Sequence, residues 1–402
     1  MYIPRILEVE LREQLDKPEI LAVIGPRQCG KTTLLRNIFA ELQGAVFLDF
    51  EDRETLELFE TDLRAFISLY VEKYRYVFID EFQYAKNGGK NLKYIYDHHK
   101  TKIIISGSSA TDLSIQSIKY LVGRIFVFSL HPFSFEEYLS YKDKEIYTFV
   151  TQAKLSPIIV TKILPLFQEF CIYGGYPRVL LATTKEEKEL VLRNIYNTYL
   201  LKEIKEILQL PDDYKLTKLL HALALQTGNM IHYNELSRIT GFSYQDLVKY
   251  LNILEKTFVC IRSQPYHTNK RTELAKVPKI FFVDTGFRNA IIKNFQELHN
   301  RTDKGALHEN FVATELYKAG LDVKYWRTKS DAEVDFVVEK NGELIPIEVK
   351  STLKDAETSR SFLSFVEKYS PKKKIILSES FSGEKKGVFF RPIFFVGWIV
   401  RR

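Results

Sequence analysis

The stretch Gly25-Pro26-Arg27-Gln28-Cys29-Gly30-Lys31-Thr32 fits the pattern G-x-x-x-x-G-K-T and lies between two contrasting runs. Before it, Ile20 to Ile24 is uninterrupted apolar chain of strand length; after it, Thr33 to Phe39 has the spacing of a helix. A strand, a glycine-bearing loop and a helix in that order form a phosphate cradle. The glycines let successive backbone N–H groups curl around an anion, and the helix N-terminus adds its positive end. Gly25, Pro26, Arg27, Gln28, Cys29, Gly30, Lys31, Thr32 and Thr33 are therefore the expected ATP contacts. Lys31 is expected to reach the β- and γ-phosphates, and the Thr32 hydroxyl to ligate Mg²⁺.

Downstream, Tyr76-Val77-Phe78-Ile79-Asp80-Glu81 is a strand-like run ending in two acids. Following a phosphate loop, such a pair divides the labour: Asp80 holds Mg²⁺, directly or through water, and Glu81 polarises the water that attacks the γ-phosphate. A third run, Lys102 to Ser106, leads into Gly107-Ser108-Ser109. Ser108 is a candidate for sensing the γ-phosphate or orienting that water; a helix N-cap role is the alternative. With Ala45 to Leu48 and Ile125 to Phe128, five strands alternate with helical segments, the rhythm of a parallel α/β sheet with ligands at its carboxyl edge. Arg124 is either a phosphate-sensing or neighbour-facing arginine, or half of a surface ion pair.

The chain has 402 residues, 45% of them apolar and 27% charged. That is too long for one core and ordinary for a folded protein. No uncharged apolar run reaches the roughly 18 residues of a membrane span, and Met1 to Glu10 lacks a signal core, so no membrane role and a cytoplasmic location are expected. Cys29, Cys171 and Cys260 are too scattered for a zinc site or disulfide framework. The formal net charge of +7 suits a polyanionic partner.

From His131 to about Leu210 the pattern is helical, broken by the turn Tyr173-Gly174-Gly175-Tyr176-Pro177-Arg178. The order Gly-Pro-Arg-Gln-x-Gly-Lys-Thr-Thr, Phe-Ile-Asp-Glu-Phe-Gln, Ser-Gly-Ser-Ser, Pro-Phe-Ser-Phe-x-Glu and Gly-Gly-Tyr-Pro resembles, over nearly the whole chain, a large archaeal and bacterial family of AAA-type ATPases with an uncharacterised C-terminal module. The segment 131–210 is read as a helical lid over the nucleotide. Arg178 joins Arg124 as a candidate finger reaching a neighbouring subunit of a homo-oligomer.

Between Asp213 and Val283 three helices, Tyr214 to Gln226, Tyr233 to Ile239 and Tyr244 to Lys256, precede two strands, Phe258 to Arg262 and Lys279 to Val283. This is the outline of a winged helix-turn-helix. Lys249 on the third helix and His267, Lys270, Arg271 and Lys276 in the loop are the candidate DNA contacts. Asp246 and Glu255 offset the third helix's charge, so an interdomain or subunit contact is the competing role.

In the last hundred residues Asn341-Gly342 marks a two-residue hairpin turn. Pairing the strands about it sets Phe336 opposite Ile347 and Asp335 opposite Glu348, their Cβ atoms roughly 5 Å apart. Facing carboxylates destabilise a sheet unless a cation or a shared proton compensates; a divalent metal, Mg²⁺ or Mn²⁺, is the economical choice. Lys350 shares a strand face with Glu348, and Glu309 shares a helical stripe with Val312 and Leu316 that points inward. Glu333 falls opposite Lys350, so a cross-strand ion pair competes for the lysine. Helical Glu, then Asp, then Glu-x-Lys resembles the PD-(D/E)xK nuclease pattern. By that resemblance Asp335 and Glu348 bind Mg²⁺, Glu309 supports the metal, and Lys350 activates water.

The expected architecture is a multidomain α/β protein: a P-loop parallel sheet core (1–130), a helical lid (131–210), a winged helix-turn-helix (211–285) and an α/β restriction-endonuclease-like domain (286–402). The expected activity is ATP hydrolysis coupled to DNA engagement. The alternatives are a nucleotide-switched regulatory or scaffold protein that docks a protein partner, and an ATP-gated DNA nuclease.

Overall fold

Five parallel strands carry the first of the chain's two compact units, Met1–Pro132 with Lys256–Phe258; the second comprises Phe133–Glu255 and Val259–Arg402. The computed structural model describes residues 2–108, 118–152, 156–198, 204–211, 213–269, 271, 273 and 276–401. Lys270 and Ser109, named above, lie outside the described residues. No helix among those described is long and apolar enough to cross a membrane.

The strands of the first unit are β1 (Ile20–Ile24), β2 (Ala45–Asp49), β3 (Tyr76–Asp80), β4 (Lys102–Gly107) and β5 (Ile125–Ser129). Their order in the sheet is β2-β3-β4-β1-β5, with every pairing parallel. Parallel strands are covered on both faces, which is why β1, β3 and β4 are buried at every position. Period-two alternation sorts their side chains. Leu21, Val23, Phe78 and Ile104 pack with Leu34, Leu35 and Ile38 of the helix Lys31–Ala40. Ala22, Ile24, Val77, Ile79, Ile103 and Ile105 meet Phe59, Phe66, Leu92 and Ile95 on the other face. Because β4 lies between β1 and β3, the loops following all three strands emerge side by side at one edge.

The second unit begins with helices Phe135–Lys142, Lys144–Thr151, Pro157–Tyr173, Pro177–Leu181 and Lys185–Ile195. The Pro-Phe-Ser-Phe-x-Glu motif is a helix start: Ser134 Oγ accepts from Glu137 N–H while Glu137 Oε2 accepts from Ser134 N–H, a capping box. The Gly-Gly-Tyr-Pro motif is a close-packed junction. Asp284 Oδ2 accepts from Gly175 N at 2.7 Å. A Cβ on Gly174, whose φ is +73°, would stand 2.1 Å from Asp284 Oδ1.

Helices Tyr214–Leu225, Tyr233–Thr240 and Tyr244–Lys256 then precede an antiparallel pair, β6 (Cys260–Pro265) and β7 (Lys279–Phe282). That pair is not self-contained. Gln264 and Pro265 of β6 pair in parallel with Lys324 and Tyr325 of β8 (Lys324–Arg327). The remaining strands are β9 (Glu333–Lys340), β10 (Glu343–Lys350), β11 (Ile375–Ser378), β12 (Gly383–Lys385) and β13 (Val388–Pro392). All eight form one sheet, β12-β13-β11-β10-β9-β8-β6-β7. Along β7 the segment Gly228–Ile231 bonds to Pro278 and Ile280, and at Phe282 the amide of Asn310 accepts from the N–H at 2.7 Å and donates to the carbonyl at 3.0 Å.

The β9/β10 hairpin turns at Asn341 and Gly342, both at positive φ, and its register sets Glu343 opposite Lys340 and Ile347 opposite Phe336. One sheet face packs Val334, Val337, Ile376 and Phe390 against Phe362 and Phe365 of the helix Arg360–Tyr369.

Candidate functional site

At the carboxyl end of β1 the chain turns through Gln28 at φ 62° and Gly30 at φ 96° before entering the helix Lys31–Ala40. Gly25 has no room for a side chain, since a Cβ there would lie 2.0 Å from Leu130 O. Cys29 is buried, and its thiol donates to Leu130 O at 3.3 Å. From the N-terminal segment, Arg5 donates to Cys29 O at 3.0 Å and to His131 O at 2.6 Å. Lys31, 6% exposed, donates to Gly25 O and Pro26 O at 3.0 Å each, so its ammonium is folded back across the loop's mouth. Pro26 is buried, Thr32 half-buried, and Arg27, Gln28 and Thr33 exposed.

Asp80 and Glu81 stand at the end of β3. Asp80, 2% exposed, accepts from Glu81 N–H at 3.1 Å and from the Ser106 hydroxyl. Glu81 adopts φ 53°, ψ 38°, a left-handed conformation that costs a residue with a Cβ about 1 kcal/mol or more. Its carboxylate accepts from the Gln83 side-chain amide, whose oxygen accepts from Ser108 N–H at 3.3 Å. Ser108 thus stands beside the acid pair, but its backbone makes the link.

These groups fit a magnesium nucleotide. A phosphate-bridged Mg²⁺ draws few ligands from protein, typically a hydroxyl and a carboxylate, and Thr32 and Asp80 are of that kind at the ends of β1 and β3. Lys31 and the loop amides supply the positive field.

Arg124 is placed elsewhere. It precedes β5, its carbonyl accepts from Ile20 N–H at the start of β1, and its guanidinium makes a forked pair with Asp97 at 2.7 and 3.3 Å. That is the sheet edge opposite the phosphate loop, and the surface ion pair is the role the geometry gives it. Arg178 is exposed on the short helix Pro177–Leu181 of the second unit. Lys249, Arg271 and Lys276 are exposed and His267 is half-buried.

The C-terminal carboxylates form a second cluster. Asp335 Oδ2 accepts from Val349 N–H at 2.7 Å. Glu348 accepts from Lys350 at 2.7 Å and from Ser359 Oγ at 3.0 Å. The expected competitor for Lys350, Glu333, is taken by Lys279 and by Arg327 at 3.3 Å. Glu309 approaches the same place, beneath Gly228, where a Cβ would lie 3.1 Å from its Oε2. Burial, and then the charge of Asp335, push the Glu309 carboxyl well up. Burial also raises Asp335, against the Val349 hydrogen bond and Lys279. No group of three or more His, Cys, Asp and Glu residues among those described is arranged to hold a metal ion. The positive charges of Lys279 and Lys350 oppose the repulsion among these carboxylates. A divalent ion between Asp335 and Glu348 finds no support in this arrangement, in which Asp335 is bonded to the Val349 N–H and Glu348 to the Lys350 ammonium.

Three contributors have no sequence signal of their own: Arg5 behind the phosphate loop, Ser106 beside Asp80, and Lys279 beside the carboxylates. Gln83 lies within the Asp-Glu-Phe-Gln motif, but only the fold brings its amide between two strand ends.

Residues 17–139 match the family model described as an AAA domain. Residues 164–298 and 304–392 match two domains of unknown function, DUF8612 and DUF4143. An uncharacterised protein of Haemophilus influenzae is 26% identical over 406 residues, covering 96% of this chain and 95% of that protein. One from Methanocaldococcus jannaschii is 27% identical over 405 residues, covering 92% and 82%. Among solved structures, a Walker-type ATPase of Pyrococcus abyssi superposes with a TM-score of 0.48 at 18% identity, covering 72% of this chain and 96% of that one. The match to an AAA domain falls on the α/β parallel-sheet core of the N-terminal unit.

Proposed function

We propose that the chain is a Mg²⁺-dependent ATPase of the AAA type whose second unit engages DNA. The observation that carries the reading is the convergence of Lys31, Thr32, Asp80 and Glu81 at the carboxyl ends of β1 and β3, one strand apart. In this reading the loop amides from Gly25 to Thr33 and the Lys31 ammonium bind the β- and γ-phosphates, Lys31 exchanging its two backbone carbonyls for phosphate oxygens. Thr32 and Asp80 hold Mg²⁺, which when bound neutralises charge on the phosphate oxygens. Glu81 orients the attacking water and accepts its proton. Engagement of DNA by the winged-helix segment is supported by the exposed cations Lys249, Arg271 and Lys276.

A second reading, a nucleotide-switched regulator that docks a protein partner and retains an inactive PD-(D/E)xK fold, is favoured by one observation. Lys350, the residue a nuclease needs at its water, is held by Glu348. ATP turnover measured with and without duplex, single-stranded and branched DNA, beside a cleavage assay in Mg²⁺ and Mn²⁺, separates the readings. DNA-stimulated turnover without nicking supports the first. Turnover indifferent to every DNA supports the second. Metal-dependent nicking lost in Asp335→Ala makes the chain an ATP-gated nuclease. Absence of ATP turnover under all conditions overturns both of the readings above.

A further inference from the structure

The Gln83 side chain joins two strand ends that the hydrolysis reaction must coordinate. Its amide nitrogen donates to the Glu81 carboxylate and its amide oxygen accepts from Ser108 N–H at 3.3 Å. The orientation of that amide is fixed by chemistry, because an ionised carboxylate only accepts and a backbone N–H only donates. Glu81 follows β3 and Ser108 follows β4, the strand wedged between β3 and the phosphate-loop strand β1. Glu81 also holds a left-handed backbone conformation, φ 53° and ψ 38°, which surrounding bonds must enforce. Its N–H is directed at Asp80 Oδ1 and Ser106 Oγ, at 3.1 and 3.4 Å. Its carboxylate is folded back onto the single 3-10 turn Phe82–Tyr84 that contains Gln83.

From this geometry we infer that Gln83 is the positioning residue for Glu81, setting the direction of its carboxylate according to where the Ser106–Ser108 end of β4 stands. The inference rests on the ATPase reading above and adds to it a residue that acts through Glu81 without touching nucleotide. When β4 moves by a fraction of an ångström, the Ser108 bond lengthens and the amide turns. The Glu81 carboxylate turns with its donor, so the direction in which it meets a water is set from β4. Ser108 therefore contributes through its backbone, and its hydroxyl is dispensable to the link.

The test uses the full chain with ATP and Mg²⁺. Gln83→Met preserves the side chain's length and removes both hydrogen bonds; Gln83→Glu keeps the acceptor for Ser108 N–H and sets a second carboxylate against Glu81. Both variants are expected to lose about tenfold in kcat with ATP affinity within about twofold of wild type and an unchanged melting temperature. In a Glu81→Gln background, single-turnover hydrolysis of labelled ATP should fall no further when Gln83→Met is added. Wild-type turnover in Gln83→Met, or a full second loss in the double variant, overturns the inference while leaving the ATPase reading intact. Normal turnover in Gln83→Glu would mean that only the Ser108 bond matters, and would overturn it too. If the unmodified chain hydrolyses no ATP, the ATPase reading falls first and takes this inference with it.

Discussion

The guanidinium of Arg5 donates to the carbonyl of Cys29 at 3.0 Å, so the phosphate loop is held from behind by a residue that belongs to no strand or helix of the sheet. The same group donates to His131 O at 2.6 Å, which ties the loop to the end of the unit's last strand segment. Arg5→Ala leaves two carbonyls without this donor and should cost about 2 kcal/mol in a denaturant melt, with a weaker ATP affinity measured by titration. Arg5→Lys, which keeps the charge but not the fork, should recover only part of both.

Glu81→Gln should reduce ATP turnover by about a hundredfold or more while leaving ATP binding in place, because the amide cannot accept a proton from water. Lys31→Ala should remove binding itself. Equal turnover in Glu81→Gln and wild type would strip Glu81 of its role.

The C-terminal carboxylates make stability fall as pH rises from the acid range toward about 8. Glu309 and Asp335 have folded-state pKa values raised above the ordinary carboxylate range. Their favourable contribution is therefore complete below that range and is lost as pH rises through the raised values. The melting temperature should decline as pH rises from the ordinary carboxylate range through about 6 and on to about 8, and level off above that. Glu309→Gln should flatten the decline.

Asp303 contributes in the opposite direction. Its carboxylate accepts from Arg288 at 2.5 Å and from Arg301 at 2.8 Å, and both guanidinium groups are buried. Burial opposes its ionisation, but the hydrogen bonds from Arg301 and Arg288 outweigh burial and hold its pKa below the ordinary range. Its contribution is present above that range and is lost as pH falls toward the depressed value. Asp303→Asn should cost about 3 kcal/mol in urea unfolding at pH 7, and less at pH 3.

The central strands of the N-terminal sheet are legible because they are buried on both faces. Ile20–Ile24 and Tyr76–Asp80 appear as continuous apolar runs between polar breaks, and the observed ends agree to within a residue. The hairpin register was legible for a different reason. Asn341-Gly342 favours a two-residue tight turn, and that turn sets the pairs from Glu343–Lys340 to Ile347–Phe336. What the sequence concealed depends on neighbours distant along the chain. Extrapolating the turn sets Glu333 opposite Lys350, yet Lys279 from β7 and Arg327 from β8 claim Glu333, leaving Lys350 to Glu348. The contacts of Arg5 and Gln83 have no periodic trace, because each joins groups that only the fold brings together. Gly174 stood out as a turn residue, but only Asp284, more than a hundred positions later, explains why a methyl group is excluded there.

The pairing of β6 with β8 also bears on how this polypeptide can be divided. A fragment starting at Lys304 would expose β8 as a naked border, inviting strand-to-strand clumping, while the severed upstream piece would carry an orphaned two-strand ribbon. Any exchange of the C-terminal module between proteins must bring residues 260–282 along with it.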